Sequence, residues 1–87
     1  YNVGTLKLCN AIAGAYAERS PVIVISGAPG MKERHEDFVL HHVVKNFDNQ
    51  QKVFDDLTCA SVVLDDPVKA AYKIDDAMEK MYWHRQP

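Results

Sequence analysis

The 87-residue chain is long enough for one small domain or for part of a larger one. Its 47% hydrophobic and 25% charged residues are typical of a folded globular protein and argue against intrinsic disorder. Ten Lys and Arg against twelve Asp and Glu give a net charge of −2, which offers no electrostatic basis for binding nucleic acid or an anionic membrane.

The first half of the chain predicts a helix, a buried strand and a loop. Residues 5–19 carry apolar side chains at three- and four-residue steps, as an amphipathic helix does. The run VIVIS at 22–26 is apolar and β-branched, which is typical of a strand buried on both faces of a parallel sheet. SGAPG at 26–30 ends that strand and lacks the GK[ST] continuation of a phosphate-binding loop, so we interpret it as a structural turn. The charged stretch MKERHED at 31–37 predicts an exposed loop.

The second half predicts a helix, a strand and a longer helix. Apolar residues at helical spacing follow Asp48, which can serve as an N-cap. CASVVL at 59–64 predicts a second buried strand. Asp66 at the N-cap and Pro67 at the first helical position then begin the clearest helix of the chain. The apolar face predicted for it consists of Ala71, Ile74, Met78 and Met81.

The alternation of helices and strands predicts the α/β class. We expect a portion of a parallel-sheet domain with helices on both faces, with two strands and about three helices. Two strands do not form a stable doubly covered sheet by themselves. The chain also starts at Tyr1 without Met and stops at Pro87 after a helix. We therefore expect it to be a fragment of a longer protein.

The cysteines and the apolar runs bear on the compartment. Cys9 and Cys59 are too few for a disulfide framework, and we interpret them as reduced core residues. No basic segment followed by an apolar run indicates a signal peptide, and no apolar run approaches the ~20 residues that span a bilayer. The expectation is a cytoplasmic protein without a membrane partner.

Two adjacent histidines, His41 and His42, interrupt an apolar stretch. Neighbouring side chains of a strand point to opposite faces, so one imidazole should be buried and should need a hydrogen-bonding partner. Histidine titrates near neutral pH and serves as acid, base or metal ligand. The residues alone favour one core and one surface histidine over a functional pair. His35 and His84 complete no zinc-ligand spacing with them, so no metal site is expected.

Three stretches together carry a family resemblance: YNVGTLKLCNAIAGAYAERSPVIVISGAPG, LHH and DDPVKAAYKIDDAMEKMYWHRQP. They resemble the N-terminal, pyrimidine-binding domain of thiamine diphosphate-dependent 2-keto acid decarboxylases, which include pyruvate, indolepyruvate and phenylpyruvate decarboxylases. The resemblance implies that residues 1–87 are the C-terminal half of that domain, with the thiamine diphosphate-binding fold. Acetolactate synthases and benzoylformate-type relatives usually lack adjacent histidines at this place, so LHH favours the decarboxylases.

The resemblance implies roles for individual side chains. His41 and His42 would be catalytic, facing the thiazolium end of the cofactor between two subunits and influencing protonation and release of the aldehyde. Val3 would bind the cofactor by packing on its aminopyrimidine ring. Asn2 stands where the family usually has glycine, and Asn is the non-Gly residue most tolerant of positive φ, so the turn can persist.

The implied cofactors are thiamine diphosphate and Mg²⁺, both bound mainly by parts of the enzyme outside this chain. The implied partners are the remaining domains, a second subunit of a homodimer or homotetramer, and a small 2-keto acid that becomes an aldehyde and CO₂. The 87 residues alone are expected to be inactive. The alternatives are a non-catalytic α/β interaction or assembly module and an acetolactate synthase-like relative.

Overall fold

A computed structural model, which describes residues 1–35 and 40–87, shows a flat molecule of 39 × 31 × 15 Å. The described residues form five helices, namely α1 (Val3–Leu6), α2 (Cys9–Ala17), α3 (Met31–His35), α4 (Asn49–Asp55) and α5 (Pro67–His84). The Cα radius of gyration is 13.6 Å, whereas a compact domain of this length would have about 12 Å. Much of the chain therefore lies near solvent.

The predicted α/β class is wrong for the part of the chain that the structure describes, because no strand occurs there. The two apolar runs, residues 22–26 and 59–64, are not helical, and no backbone hydrogen bond joins one to the other. A strand exists only where a neighbouring strand donates and accepts hydrogen bonds along it. β-Branched residues favour the strand conformation, but a strand also needs a neighbouring strand to bond to. Ile25, in the first run, is consequently 92% exposed.

The helix predicted over residues 5–19 is divided into α1 and α2. The Leu8 N–H donates to the Thr5 carbonyl at 2.9 Å, a three-residue step that tightens the chain into a turn. The Ile12 N–H donates to the Leu8 carbonyl at 2.9 Å and restores the four-residue step of an α-helix. Ile12 is the buried side chain of α2.

The short helix α3 lies where the sequence predicts an exposed loop. Glu33 Oε2 accepts a hydrogen bond from the Gly30 N–H at 2.8 Å, and the Arg34 N–H donates to the Gly30 carbonyl at 3.1 Å. A glutamate that reaches back from the first turn to the preceding N–H is one half of a capping box. The loop prediction overlooked this signal. The remainder of that predicted loop, residues 36 and 37, lies outside the described residues.

Both helices predicted in the second half of the chain are present. The Asp66 carboxylate accepts a hydrogen bond from the Val68 N–H at 2.9 Å, and Pro67 lies in the first turn, so the predicted start of α5 is confirmed. Asp48 precedes α4 as predicted, but its carboxylate does not cap that helix. It accepts a hydrogen bond from Arg34 Nη2 at 2.7 Å instead, which ties α4 to α3.

In the part of the chain that the structure describes, the hydrophobic core consists of Ile12 of α2, Phe54 of α4 and Met81 of α5. Met81 is the buried member of the apolar face predicted for α5, whereas Ala71, Ile74 and Met78 are exposed. Helix α1 packs on α4. This contact brings the first residues of the chain beside residues 41–50, where the candidate site lies.

Two observations concern the thiols and the membrane. Cys9 and Cys59 are free and half-buried. Cys59 anchors the end of the chain, since its N–H donates to the Pro87 carbonyl at 2.6 Å and its thiol to the Gln86 carbonyl at 3.4 Å. Among residues 1–35 and 40–87, no helix is both long enough and apolar enough to cross a bilayer.

Candidate functional site

His41 and His42 lie in a turn, and both side chains are exposed. Their ring centroids are 6.2 Å apart and the ring planes are inclined by 51°. The prediction that one imidazole is buried is wrong, because side chains in a turn do not alternate between two faces as they do on a strand. His42 has a φ of 66°, a value that non-glycine residues seldom adopt. The turn therefore presents two imidazoles to solvent together.

The first residues of the chain lie against this turn. Tyr1 Oη donates a hydrogen bond to the His41 carbonyl at 2.6 Å. The Val3 N–H donates to the His42 carbonyl at 3.3 Å, while the Val3 side chain is 48% exposed. The structure thus brings Val3 to the backbone of the histidine pair, which is about forty positions away in the chain.

Asn2 is the buried polar residue of this contact, with 2% of its surface exposed. Its backbone has φ 49° and ψ −104°. The Asn2 N–H donates to Gln50 Oε1 at 2.6 Å, and Asn2 Nδ2 donates to the Asn46 carbonyl at 3.4 Å. Asn2 Oδ1 is buried and has no hydrogen-bond partner among the described residues. A buried polar atom left without a partner costs about 1–3 kcal/mol and is rare in folded proteins.

Sequence reasoning missed Gln50 and Asn46. Gln50 lies one helical turn before the buried Phe54, so both lie on the same side of α4. A polar residue at that step from a core residue was the available signal. Asn46 contributes its carbonyl to Asn2, and no side-chain pattern reveals such a contact.

Helix α1 is also held at the SGAPG turn by a pair of hydroxyls. Thr5 Oγ1 and Ser26 Oγ are 2.5 Å apart, and Thr5 is buried. Because Ser26 Oγ also donates to the Gly27 carbonyl at 3.1 Å, Thr5 supplies the hydrogen between the two hydroxyls. Contacts to residues 26, 41–42 and 46–50 therefore fix the short helix on more than one side.

The ion pairs of the described residues lie away from the histidine turn. Within the described ranges, the ion pairs are Arg34–Asp48, Lys73–Asp65 and Lys80–Asp76, and none includes either histidine of the pair. The hydrogen bond from Lys73 holds the pKa of Asp65 below its ordinary value of 3.8. The hydrogen bond to Asp76 raises the pKa of Lys80 above its ordinary value of 10.5. Both shifts are away from pH 7, so Asp65 and Lys80 keep their charges near neutral pH.

Family comparison bears on the same part of the chain. The family described as "Thiamine pyrophosphate enzyme, N-terminal TPP binding domain" matches residues 1–53. That range includes the residues that make up the candidate site: Tyr1, Asn2, Val3, His41, His42, Asn46 and Gln50. The chain belongs to this family. The resemblance to an N-terminal thiamine diphosphate-binding domain is thereby confirmed.

Two curated relatives show the extent of the similarity of this member of the family. An indole-3-pyruvate decarboxylase of Azospirillum brasilense is 50% identical over 74 residues, which are 85% of this chain and 14% of the relative. Pyruvate decarboxylase 1 of Oryza sativa subsp. indica is 36% identical over 80 residues, which are 90% of this chain and 13% of the relative. The chain thus spans only 13–14% of the length of these relatives.

The residues of the site fit the organic part of thiamine diphosphate but not a metal ion. The exposed Val3 side chain offers an apolar surface for a ring, its backbone bonds to the turn that carries two exposed imidazoles, and a donor from outside the described residues would satisfy Asn2 Oδ1. No group of three or more His, Cys, Asp or Glu side chains in residues 1–35 and 40–87 is arranged to hold a metal. We therefore assign no metal ligand to these residues.

Proposed function

We propose that residues 1–87 are the C-terminal half of the N-terminal pyrimidine-binding domain of a thiamine diphosphate-dependent 2-keto acid decarboxylase. The enzyme would convert a 2-keto acid to an aldehyde and CO₂. The observation that carries this proposal is the contact of Val3 with the His41–His42 turn in a TPP-binding chain. The 50% identity to an indole-3-pyruvate decarboxylase supports indolepyruvate as the first substrate to test, before phenylpyruvate and pyruvate.

In this proposal, His41 and His42 hold and move protons at their exposed ring nitrogens. An imidazole has one ring nitrogen that donates and one that accepts a hydrogen bond, so a single side chain both accepts and donates a proton during turnover. When bound, thiamine diphosphate supplies a nucleophilic carbon and an electron sink for the loss of CO₂. Val3 packs its apolar side chain on the cofactor ring and keeps water from that side of it.

The remainder of the proposal concerns components outside this chain. In this proposal, Mg²⁺ and the diphosphate are held by a separate domain outside this chain. The other domains and a second subunit, in a homodimer or homotetramer, complete the active site in the cytoplasm. The 87 residues alone are inactive on this account.

The test measures CO₂ release by the complete gene product with thiamine diphosphate and Mg²⁺. His41→Ala and His42→Ala should each lower kcat by about 10²–10⁴-fold, the usual contribution of a positioned acid or base, and should remove one limb of the pH profile. His84→Ala is the matched control, because His84 is an exposed histidine on α5 and should retain wild-type kcat.

Two results would contradict the proposal. One is a wild-type enzyme that releases no CO₂ from indolepyruvate, phenylpyruvate or pyruvate. The other is a full kcat and an unchanged pH profile in both variants of the pair.

A further inference from the structure

We propose that Gln50 is a positioning residue, which holds the Asn2–Val3 turn in register with the His41–His42 turn. This inference rests on the proposed function for its catalytic consequence, but the positioning itself follows from the contacts. Gln50 Oε1 accepts the Asn2 N–H at 2.6 Å across 48 positions of sequence. It is the side chain through which α4 holds the backbone of the first turn.

The conformation of Asn2 explains why such a contact is needed. Its φ of 49° and ψ of −104° lie in a region that glycine enters freely and that costs other residues free energy. A residue stays in such a region only when its surroundings hold it there. Gln50 holds the N–H of Asn2, and the Asn46 carbonyl holds the Asn2 side chain.

The position of Gln50 on α4 links this turn to the core. Gln50 lies one helical turn before Phe54, which is buried. Since a packed aromatic side chain fixes the helix, the helix fixes Gln50 Oε1, and Gln50 fixes the backbone between Tyr1 and Val3. Tyr1 and Val3 then bond to the carbonyls of His41 and His42.

The consequence for the reaction is geometric. If Val3 bears on the cofactor and the imidazoles move protons, the distance between them must be kept to a fraction of an ångström, since a 1 Å misplacement costs about 10²-fold in rate. The hydrogen bond of Gln50 is to the Asn2 N–H. Gln50 acts through Asn2.

The experiment compares four variants of the complete gene product. Gln50→Leu keeps the size of the side chain and removes the acceptor, whereas Gln50→Glu keeps an oxygen at the same place. Gln50→Asn keeps the amide on a side chain that is shorter by one methylene. It tests the same hydrogen bond if Gln50→Leu does not fold. Gln51→Leu makes the same change at the next residue of α4 and is the matched control.

Two readouts are taken. Hydrogen–deuterium exchange of the cofactor-free protein should be faster in peptides covering residues 1–8 and 40–47 in Gln50→Leu and Gln50→Asn, and unchanged in α5. Steady-state kinetics should show kcat/KM about 10- to 100-fold lower in both variants, restored to within about threefold by Gln50→Glu. Gln51→Leu should match the wild type in both readouts.

The inference is overturned if Gln50→Leu and Gln50→Asn behave like Gln51→Leu. It is also overturned if Gln50→Glu fails to restore the kcat/KM that these two variants lose. Failure of the proposed function has a different signature, namely a wild-type protein without decarboxylase activity. In that case the exchange rates of residues 1–8 alone still decide whether Gln50 positions the turn.

Discussion

Asn2 and Ile25 reverse the usual relation between polarity and burial. Asn2 is 2% exposed and Ile25 is 92% exposed, although Asn usually lies at the surface and Ile is among the residues most often buried. Asn2 is buried because its backbone and side-chain amides find acceptors on Gln50 and Asn46. Ile25 is exposed because no described segment pairs with residues 22–26.

The difference shows what determines the geometry of each region. Directional bonds from Tyr1 and Asn2 reach partners 40 and 48 positions away, and each specifies one arrangement of donor and acceptor. An apolar run without a partner strand has no such bonds, so it does not specify one arrangement. The candidate site is therefore the better determined of the two regions, although it contains more polar atoms.

The largest effect that separates the two regions is expected at Phe54, which is 6% exposed and anchors α4. Phe54→Ala should lower the free energy of unfolding by about 3–5 kcal/mol because it leaves a cavity beneath the helix that carries Gln50. Urea titration of the chain followed by circular dichroism measures this. The control is Ile25→Ala, expected within about 0.5 kcal/mol of the wild type. Equal losses of unfolding free energy in both variants would contradict the comparison, because the exposed run would then stabilise the fold as much as the core residue does.

A smaller effect is expected at Asp66, whose carboxylate caps α5 through the Val68 N–H. Asp66→Ala should cost about 1 kcal/mol of stability, the usual value for loss of an N-cap. Asp75→Ala, at an exposed position of the same helix, should cost less. Because the cap is local, hydrogen exchange in residues 1–8 should not change. Faster exchange there would mean that α5 also determines the site, and the two regions could not be treated separately.

The smallest effects are expected from the exposed ion pairs of the second half. The pKa of Asp65 is lowered in the folded chain by Lys73, so the stability from this pair is present above pH 3.8 and is lost as pH falls through the lower folded value. The pKa of Lys80 is raised by Asp76, so its contribution is present below pH 10.5 and is lost as pH rises through the higher folded value. Between these limits both contributions are present, and neither should change with pH.

Urea midpoints measured from pH 2 to pH 12 check both signs. Lys73→Met should flatten the acid limb and Asp76→Asn the alkaline limb, each by a small amount because exposed pairs contribute little. A change in the alkaline limb for Lys73→Met, or in the acid limb for Asp76→Asn, would contradict the sign given to that ion pair.

What the sequence predicted correctly was local. The start of α5 follows from Asp66, whose carboxylate accepts the Val68 N–H two residues on, and from Pro67, whose fixed φ suits the first helical position. The TPP-binding family was also recognisable from contiguous motifs, and the match over residues 1–53 confirmed it.

What the sequence did not reveal depends on partners far along the chain. The runs at 22–26 and 59–64 have the composition of strands, but pairing requires a neighbour that the described residues do not provide. The exposure of both imidazoles follows from a turn whose carbonyls bond to Tyr1 and Val3, about forty residues earlier. The spacing of Gln50 from Phe54 did not reveal its role, because the group that it holds is an N–H 48 positions away.

The most direct test of the account is hydrogen–deuterium exchange of the complete gene product with Mg²⁺, measured with and without thiamine diphosphate. The account predicts that the cofactor slows exchange in peptides covering residues 1–8 and 40–47 and leaves α5 unchanged. Slower exchange confined to α5, with no change in either of those peptides, would contradict the assignment of the cofactor-facing site to Val3 and the His41–His42 turn.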